Sequence, residues 1–401
     1  MVKMPYRYTH TLVMSIIFVI ILTTFIYRIK TVPMNIHQKY AKLLINYCLD
    51  LKKGQKLYVK SSTLAEPLMR ELYREGLRVG AHVVIDMSFR EQGRIFLAEA
   101  TGDQLTYVTP AMEAAMKDFD AYLVVRAPYN LKEEQNVDRD KQKTRQAATK
   151  WLSDLYFSRT ADGSLTRSLC QYPTLAGAQE AGMSLEEYEH FIYNACKLYE
   201  ADPEQAWLQV RARQQSVVDY LNNAELIRYQ CGKTDISFSV KGRTWINSDG
   251  RTNMPSGEVF SGPVEDSVEG TVYFNYPSIF MGTEVRGITL QVEKGQVMSW
   301  AAEQGQHILD KVFEIEGARY FGEVAIGTNY SIQQPTKNIL FDEKIGGTIH
   351  MAVGQSYKQT GGTNDSAIHW DMITDMKDGG HIYVDGELAY KDGQFLNFEL
   401  S

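Results

Sequence analysis

Five side chains of metal-ligand type stand in the carboxyl-terminal part of this chain: Glu258, Glu323, His350, His369 and Asp371. Carboxylate oxygens and neutral imidazole nitrogens are the donors that a divalent zinc, cobalt or manganese ion accepts in proteins. The tightest element is Ile368-His369-Trp370-Asp371. An extended backbone there places His369 and Asp371 on one face, because side chains alternate with period two. Glu323 is embedded in Tyr320-Phe-Gly-Glu-Val-Ala-Ile326, and a carboxylate buried among apolar neighbours needs a cation or hydrogen-bond donors. Glu258 follows Pro255 and Gly257, and His350 is approached through Gly346 and Gly347, whose missing side chains let backbone come close to a site. Tyr357 stands between Gly354 and Gly361-Gly362, where a phenol can ligate a metal or donate to an oxyanion.

Each residue alone has an ordinary alternative. Glu258 reads equally as a surface turn acid, His350 as a satisfied core histidine and Tyr357 as a packing residue. Their shared glycine-rich, otherwise apolar setting points instead to a hydrolytic metal site. Two cations sharing a bridging carboxylate would use all five ligand candidates and make water nucleophilic at neutral pH. Other chemistries lack their signatures: the chain has no H-E-x-x-H, no G-x-S-x-G, no P-loop and no G-x-G-x-x-G after a strand.

The elements that must position these groups follow from periodicity. Residues 35–51 carry apolar side chains at helical spacing up to a Lys52-Lys53-Gly54 stop, and residues 65–75 do the same. Residues 55–60, 82–87 and 121–125 read as strands between helical stretches, the pattern of a largely parallel α/β sheet. Ser184 and Glu187 form a capping box, and Asp202-Pro203 opens the next helix as N-cap and first residue. The mixed charges of residues 132–150 read as a solvated helix face or loop.

After about residue 225 short alternating strands take over, with a hairpin turn at Glu293-Lys294-Gly295-Gln296. Residues 300–313 read as one helix, and the end of the chain as a β-meander with Asp385-Gly386 and Asp392-Gly393 turns. The expected organisation is an α/β domain over residues 34–240, its middle helical, and a mixed β-rich domain over residues 241–401 carrying the metal site.

A formal net charge of -7 excludes a broad nucleic-acid footprint. Cys48, Cys170, Cys196 and Cys231 are scattered without a C-x-x-C pair, as expected for reduced, mostly buried thiols in a cytoplasmic protein. Two sequons, at Asn329 and Asn364, would then stay silent. Residues 1–33 do not match the rest. Residues 11–27 are uncharged and apolar, about the minimum length for a membrane anchor. The alternative is an over-extended start, with Met34 as the first residue. On either reading the catalytic fold begins after them.

Four segments carry a family resemblance: NMPSGEVFSGPVEDSVEGTV, GEVAIGTN, DEKIGGTIHMAVGQSY and GGTNDSAIHWDMI. They resemble the thermophilic-type metallo-aminopeptidases, the aminopeptidase T and aminopeptidase S group. The resemblance covers roughly Met34 to the carboxyl end and is most specific after residue 245.

It implies that Glu258, Glu323, His350, His369 and Asp371 hold two divalent cations (Zn, Co, Mn or Mg). It implies further that Tyr357 ligates or stabilises the transition state, with Glu343 or Glu323 as the proton shuttle. A two-domain homodimer acting on peptides with a free amino terminus is the expectation that follows. A binuclear amidohydrolase of non-peptide substrates and a non-enzymatic protein with a structural metal site are the alternatives.

Overall fold

The computed structural model describes residues 34–400. Residues 1–33, and with them the anchor reading of residues 11–27, lie outside the described residues. Among those described, no helix is long and apolar enough to cross a membrane.

The chain enters through a helix, Ile36–Lys42, whose start is fixed by a reciprocal cap. Asn35 accepts from the Gln38 backbone at 2.9 Å and the Gln38 side chain accepts from the Asn35 backbone at 3.1 Å. A wider-wound turn, Leu43–Cys48, continues it and buries Leu43, Leu44, Ile45, Tyr47 and Cys48. The capping box at Ser184 and the Asp202 cap with Pro203 in the first turn form as the sequence predicts.

Lys56–Ser62, His82–Ser88, Ala121–Arg126 and Thr166–Gln171 form a parallel sheet with the short Asn253–Met254 strand, in the order His82, Lys56, Ala121, Thr166, Asn253 by first residue. Its fifth strand comes from far along the chain, so the sheet's last edge is built by the segment that leads directly to Glu258.

From Leu226 onward every strand except Asn253–Met254 pairs antiparallel. An eight-stranded sheet takes in Leu226–Cys231 and Thr234–Ser239, which precede the 240/241 division read from the sequence. The closing meander forms its edge through the two Asp-Gly turns. A second antiparallel sheet has five strands: His369–Asp375, Thr348–Gly354, Phe321–Gly327, Glu258–Ser261 and Ile246–Ser248 in spatial order. Val324, Ile326, Ile349, Met351, Val353 and Met372 of this sheet share one apolar core with Tyr229, Phe238, Phe274 and Leu290 of the eight-stranded sheet. Burial of such side chains contributes roughly 1.5–3 kcal/mol each, so the two sheets form a rigid support.

One expectation is corrected. Residues 300–313 are not a single helix. Gln296–Ala301 is a strand paired with Ile288–Glu293, and only Gln306–Val312 is helical. Gly305, at φ 83°, separates the two. Trp300 and Phe313 still meet, with ring centroids 4.8 Å apart, but across the break and not along a helix face.

Candidate metal centre

The five-stranded sheet has two unlike faces, and strand register decides what each carries. Residues directly opposite one another in an antiparallel pair project to the same side. Ala352 lies opposite both Glu323 and Asp371, Ala325 opposite both His350 and Phe260, Gly354 opposite His369, and Gly327 opposite Glu258. Glu258, Glu323, His350, His369 and Asp371 therefore share one face, and the alanines and glycines among them leave room above the sheet.

Two glycines make the approach possible. Gly257, at φ 118°, meets Asn329 so closely that an added Cβ would lie 2.7 Å from the asparagine Cβ. Gly322 stands at the register shift between Phe321 and Glu323, and a Cβ there would lie 2.5 Å from the Gly354 carbonyl oxygen. The resulting bulge sets the aim of Glu323, the use that bulges beside active sites commonly have.

The distances are those of a cluster of donors. His350 Nε2 lies 3.3 Å from Glu258 Oε2 and 3.4 Å from Glu323 Oε1. His369 Nε2 lies 3.1 Å from Glu323 Oε2 and 3.5 Å from Asp371 Oδ1. Its Nδ1 is 2.8 Å from the Gln355 carbonyl oxygen, a bond that orients the ring and leaves Nε2 to face the carboxylates. Three overlapping triads can each surround a cation: Glu258 with Glu323 and His350, Glu323 with His369 and Asp371, and Glu343 with His350 and Asp371. Glu323 alone is common to the first two.

Charge and burial follow from this crowding. Burial would raise Glu323, but the nearby His350 and His369 rings outweigh that and hold it below its usual value. Burial likewise opposes ionisation of Asp371, yet His369 brings its pKa down to about 2. Both imidazoles go the other way. Against the cost of burial, Glu323 and Glu258 push His350 up to about 9, and Asp371 with Glu323 pushes His369 up to about 12. Glu343 rises to about 8, chiefly through burial.

Lys344 is a site residue that the sequence reading passed over, although it follows Glu343 directly. It is fully buried, hydrogen-bonded to Glu343 and 3.2 Å from Glu258 Oε1. Burial opposes its charge, but Glu258 and Glu343 more than restore it.

His350 supplies the test of whether these residues suit a metal. Its side chain is fully buried and neither ring nitrogen makes a hydrogen bond. Asp371 Oδ1 is also without one. Unsatisfied buried polar atoms cost about 1–3 kcal/mol each. An ion accepting the imidazole lone pair and the carboxylate charge removes that cost, so the donor set fits a divalent cation.

The loops that flank this face are tied down by buried side-chain hydrogen bonds. The Asn329 amide donates to the Ala195 carbonyl at 3.1 Å and to the Ser256 carbonyl at 2.8 Å. Its side chain is thereby buried and committed, which closes that sequon in the folded chain. Asp342 accepts from the Thr336 and Lys337 backbones at 2.7 and 2.8 Å and shapes the turn that delivers Glu343 and Lys344.

Tyr357 leaves the Thr348–Gly354 strand through Gly354 and lies edge-on to Phe260, ring centroids 5.6 Å apart, and 4.9 Å from the His369 ring. Partial desolvation, then the charges of Glu323 and Asp371, raise its phenol well above the usual range, so it stays protonated. A cavity of about 330 Å³ brings Tyr357 together with Glu258, Glu323 and Glu343, and a second of about 320 Å³ is lined in part by His369 and Asp371.

Known proteins share this arrangement of chain. The chain is 28% identical over 400 residues to aminopeptidase 2 of Geobacillus stearothermophilus, covering 89% of this chain and 94% of that one. It is 27% identical over 398 residues to aminopeptidase T of Thermus thermophilus, covering 89% and 95%. The solved structure of wild-type AmpT from Thermus thermophilus has the same fold, with a TM-score of 0.78 over 90% of this chain and 99% of that one, at 24% identity. The model of the thermophilic metalloprotease family (M29) matches residues 35–395, and the chain belongs to that family.

Proposed function

We propose that this chain is a metal-dependent aminopeptidase, releasing amino-terminal residues from peptides at a site that holds two divalent cations. Membership of a metalloprotease family and similarity to aminopeptidases support the activity. The observation that carries the two-cation reading is the sharing of Glu323 between two donor triads on one sheet face. Glu258 and His350 would complete one position, His369 and Asp371 the other, with zinc, cobalt, manganese or magnesium as the ion. When bound, such a pair supplies Lewis acidity toward the scissile carbonyl and activates water at neutral pH.

The chain's own groups do the rest. Glu343, raised to about 8 by burial, can give its proton to the leaving amine and recover one from the attacking water. Lys344 holds Glu343 and Glu258 in place through its two contacts. Tyr357 offers a protonated hydroxyl to charge developing on the carbonyl oxygen. Cytoplasmic residence, a homodimer and a division into an α/β part and a catalytic β-rich part beginning near residue 225 belong to the same proposal. Four unpaired cysteines support the first, and the family resemblance the second. Strand pairing supports the third.

Peptides with a free amino terminus are expected to lose residues one at a time, and N-acetylated versions to resist. Product analysis by mass spectrometry decides it; internal cleavage of the acetylated peptide at a comparable rate contradicts the assignment. Metal uptake carries a second expectation.

With His350 and His369 pushed up to about 9 and about 12, both rings hold a proton at pH 7 before an ion arrives. Ligation requires neutral imidazoles, so loading expels those protons and apparent affinity rises with pH, roughly tenfold per unit for each proton displaced. Titrating zinc into chelator-stripped protein in weak buffer at pH 7 should release about two protons per chain, with a third if Glu343 joins the ligands. Uptake without acidification would show that the imidazoles are not ligands.

A further inference from the structure

The cavity beside Glu258, Glu323, Glu343 and Tyr357 is lined by a cation that no carboxylate among the described residues pairs with. Arg167 is the only lysine or arginine lining it among the described residues. It sits on the Thr166–Gln171 strand opposite Tyr122, and its guanidinium lies over the Tyr156 ring, 5.7 Å from the centroid. Its Nε is buried without a hydrogen-bond partner, and no carboxylate stands within ion-pair distance of it among the described residues.

The carboxylates of that cavity are all engaged elsewhere. Asp249 pairs with Arg211 at 2.7 Å, Glu258 and Glu343 with Lys344, and Glu323 with His350 and His369. The remaining walls come from neutral groups such as Thr160, Asn247, Asn253 and Gln359. Arg167 is half-buried, and its buried Nε is left without a partner, which the ring of Tyr156 offsets only in part. Arginine's planar fork is matched to a carboxylate. With the internal acids committed, that carboxylate has to arrive with the ligand.

We infer that Arg167 is a substrate-recognition residue that pairs with a carboxylate of the bound peptide, so that this site favours substrates bearing an acid near the scissile bond. The inference rests on the peptidase reading for the identity of the ligand. Two sources supply the same chemistry within a cavity of about 330 Å³: an acidic side chain of the peptide, or the terminal carboxylate of a peptide only two or three residues long. The first makes Arg167 a side-chain selector. The second makes it a ruler for short substrates.

The experiment compares matched pairs on wild-type protein and on Arg167→Met, which keeps an unbranched apolar stem but removes the guanidinium and its charge. One pair is a neutral tripeptide as free acid and as carboxyl-terminal amide. The other is a carboxyl-amidated peptide beginning with Glu and its counterpart beginning with Gln. Wild-type protein should favour the acid member of one pair, and Arg167→Met should erase that preference by lowering kcat/KM for the acid about 10- to 100-fold, the scale of one charge-assisted hydrogen bond. The neutral member should be cleaved as before, which also shows that the variant folds, and Arg167→Lys should recover part of the preference.

The pair that responds identifies the source. If both proteins cleave all four peptides with unchanged ratios, the inference is overturned while the peptidase reading stands. Calorimetric binding of the same four peptides separates the converse case. Acid-selective binding that depends on Arg167 without hydrolysis would keep the recognition site and remove the peptidase reading; absence of acid-selective binding removes the recognition site.

Discussion

Glu323→Gln is expected to empty both cation positions at once and to lower turnover by roughly 10³-fold or more, the rate equivalent of several kcal/mol of lost charge stabilisation. The reason is topological. Glu323 Oε1 faces His350 and Oε2 faces His369, at 3.4 and 3.1 Å, so one residue serves two triads. Glutamine preserves shape and strand pairing while removing the charge that both triads draw upon. Glu258→Gln and His369→Asn are the controls, because each of those residues belongs to one triad only. After dialysis against a fixed low concentration of zinc, elemental analysis should find Glu258→Gln and His369→Asn holding about half the wild-type metal and Glu323→Gln close to none. A Glu323→Gln protein that retains as much metal as either control would show that the glutamate is not shared, and the two-cation proposal would fall with it.

Much of this arrangement could be read before the fold was known, and the limits have physical causes. The alternation of His369 and Asp371 is local, so an extended segment was enough to place them side by side. The burial of Glu323 followed from its apolar neighbours. What no local pattern contains is register: Ala352 stands between Glu323 and Asp371 only because two strand pairings happen to align there. Spacing along the chain could suggest a common purpose for Glu258, Glu323 and His350, but not a common face.

The α/β half was legible because caps and apolar stripes are short-range signals. Its strand Thr166–Gln171 was not named, since TRSLCQ carries little apolar character and owes its place to the Ala121–Arg126 and Asn253–Met254 neighbours. The false helix at residues 300–313 came from apolar residues whose spacing suits either period, where the strand partner made the choice. Lys344 and Arg167 were missed for opposite reasons. A buried lysine is invisible until its two carboxylates are located, and the meaning of Arg167 lies in partners that it does not have.

Tyr357→Phe is expected to leave metal content unchanged and to cut turnover about 10²–10³-fold, the usual loss when one donor to a developing oxyanion is removed. Phenylalanine keeps the ring against Phe260 and His369, so packing near the cations is preserved. The hydroxyl that is lost is the only hydrogen-bonding group the side chain has. Among the described residues it makes no hydrogen bond, which leaves it free to meet a ligand in the cavity it shares with Glu258, Glu323 and Glu343. The side chain is 43% exposed, but partial desolvation and the neighbouring carboxylates keep the proton on its oxygen across the working pH range, so it can donate but not act as a base.

Two measurements on the same preparation distinguish the possible roles. Turnover that falls while metal content holds assigns the hydroxyl to the transition state. Metal lost in parallel with turnover makes the phenol oxygen a ligand, and wild-type values for both reduce the residue to packing. The transition-state role also requires that the defect appear in kcat more than in KM, because a carbonyl in the ground state has little charge for the phenol to stabilise. A variant with normal kcat and a raised KM would place Tyr357 in substrate binding and leave the oxyanion to the cations alone.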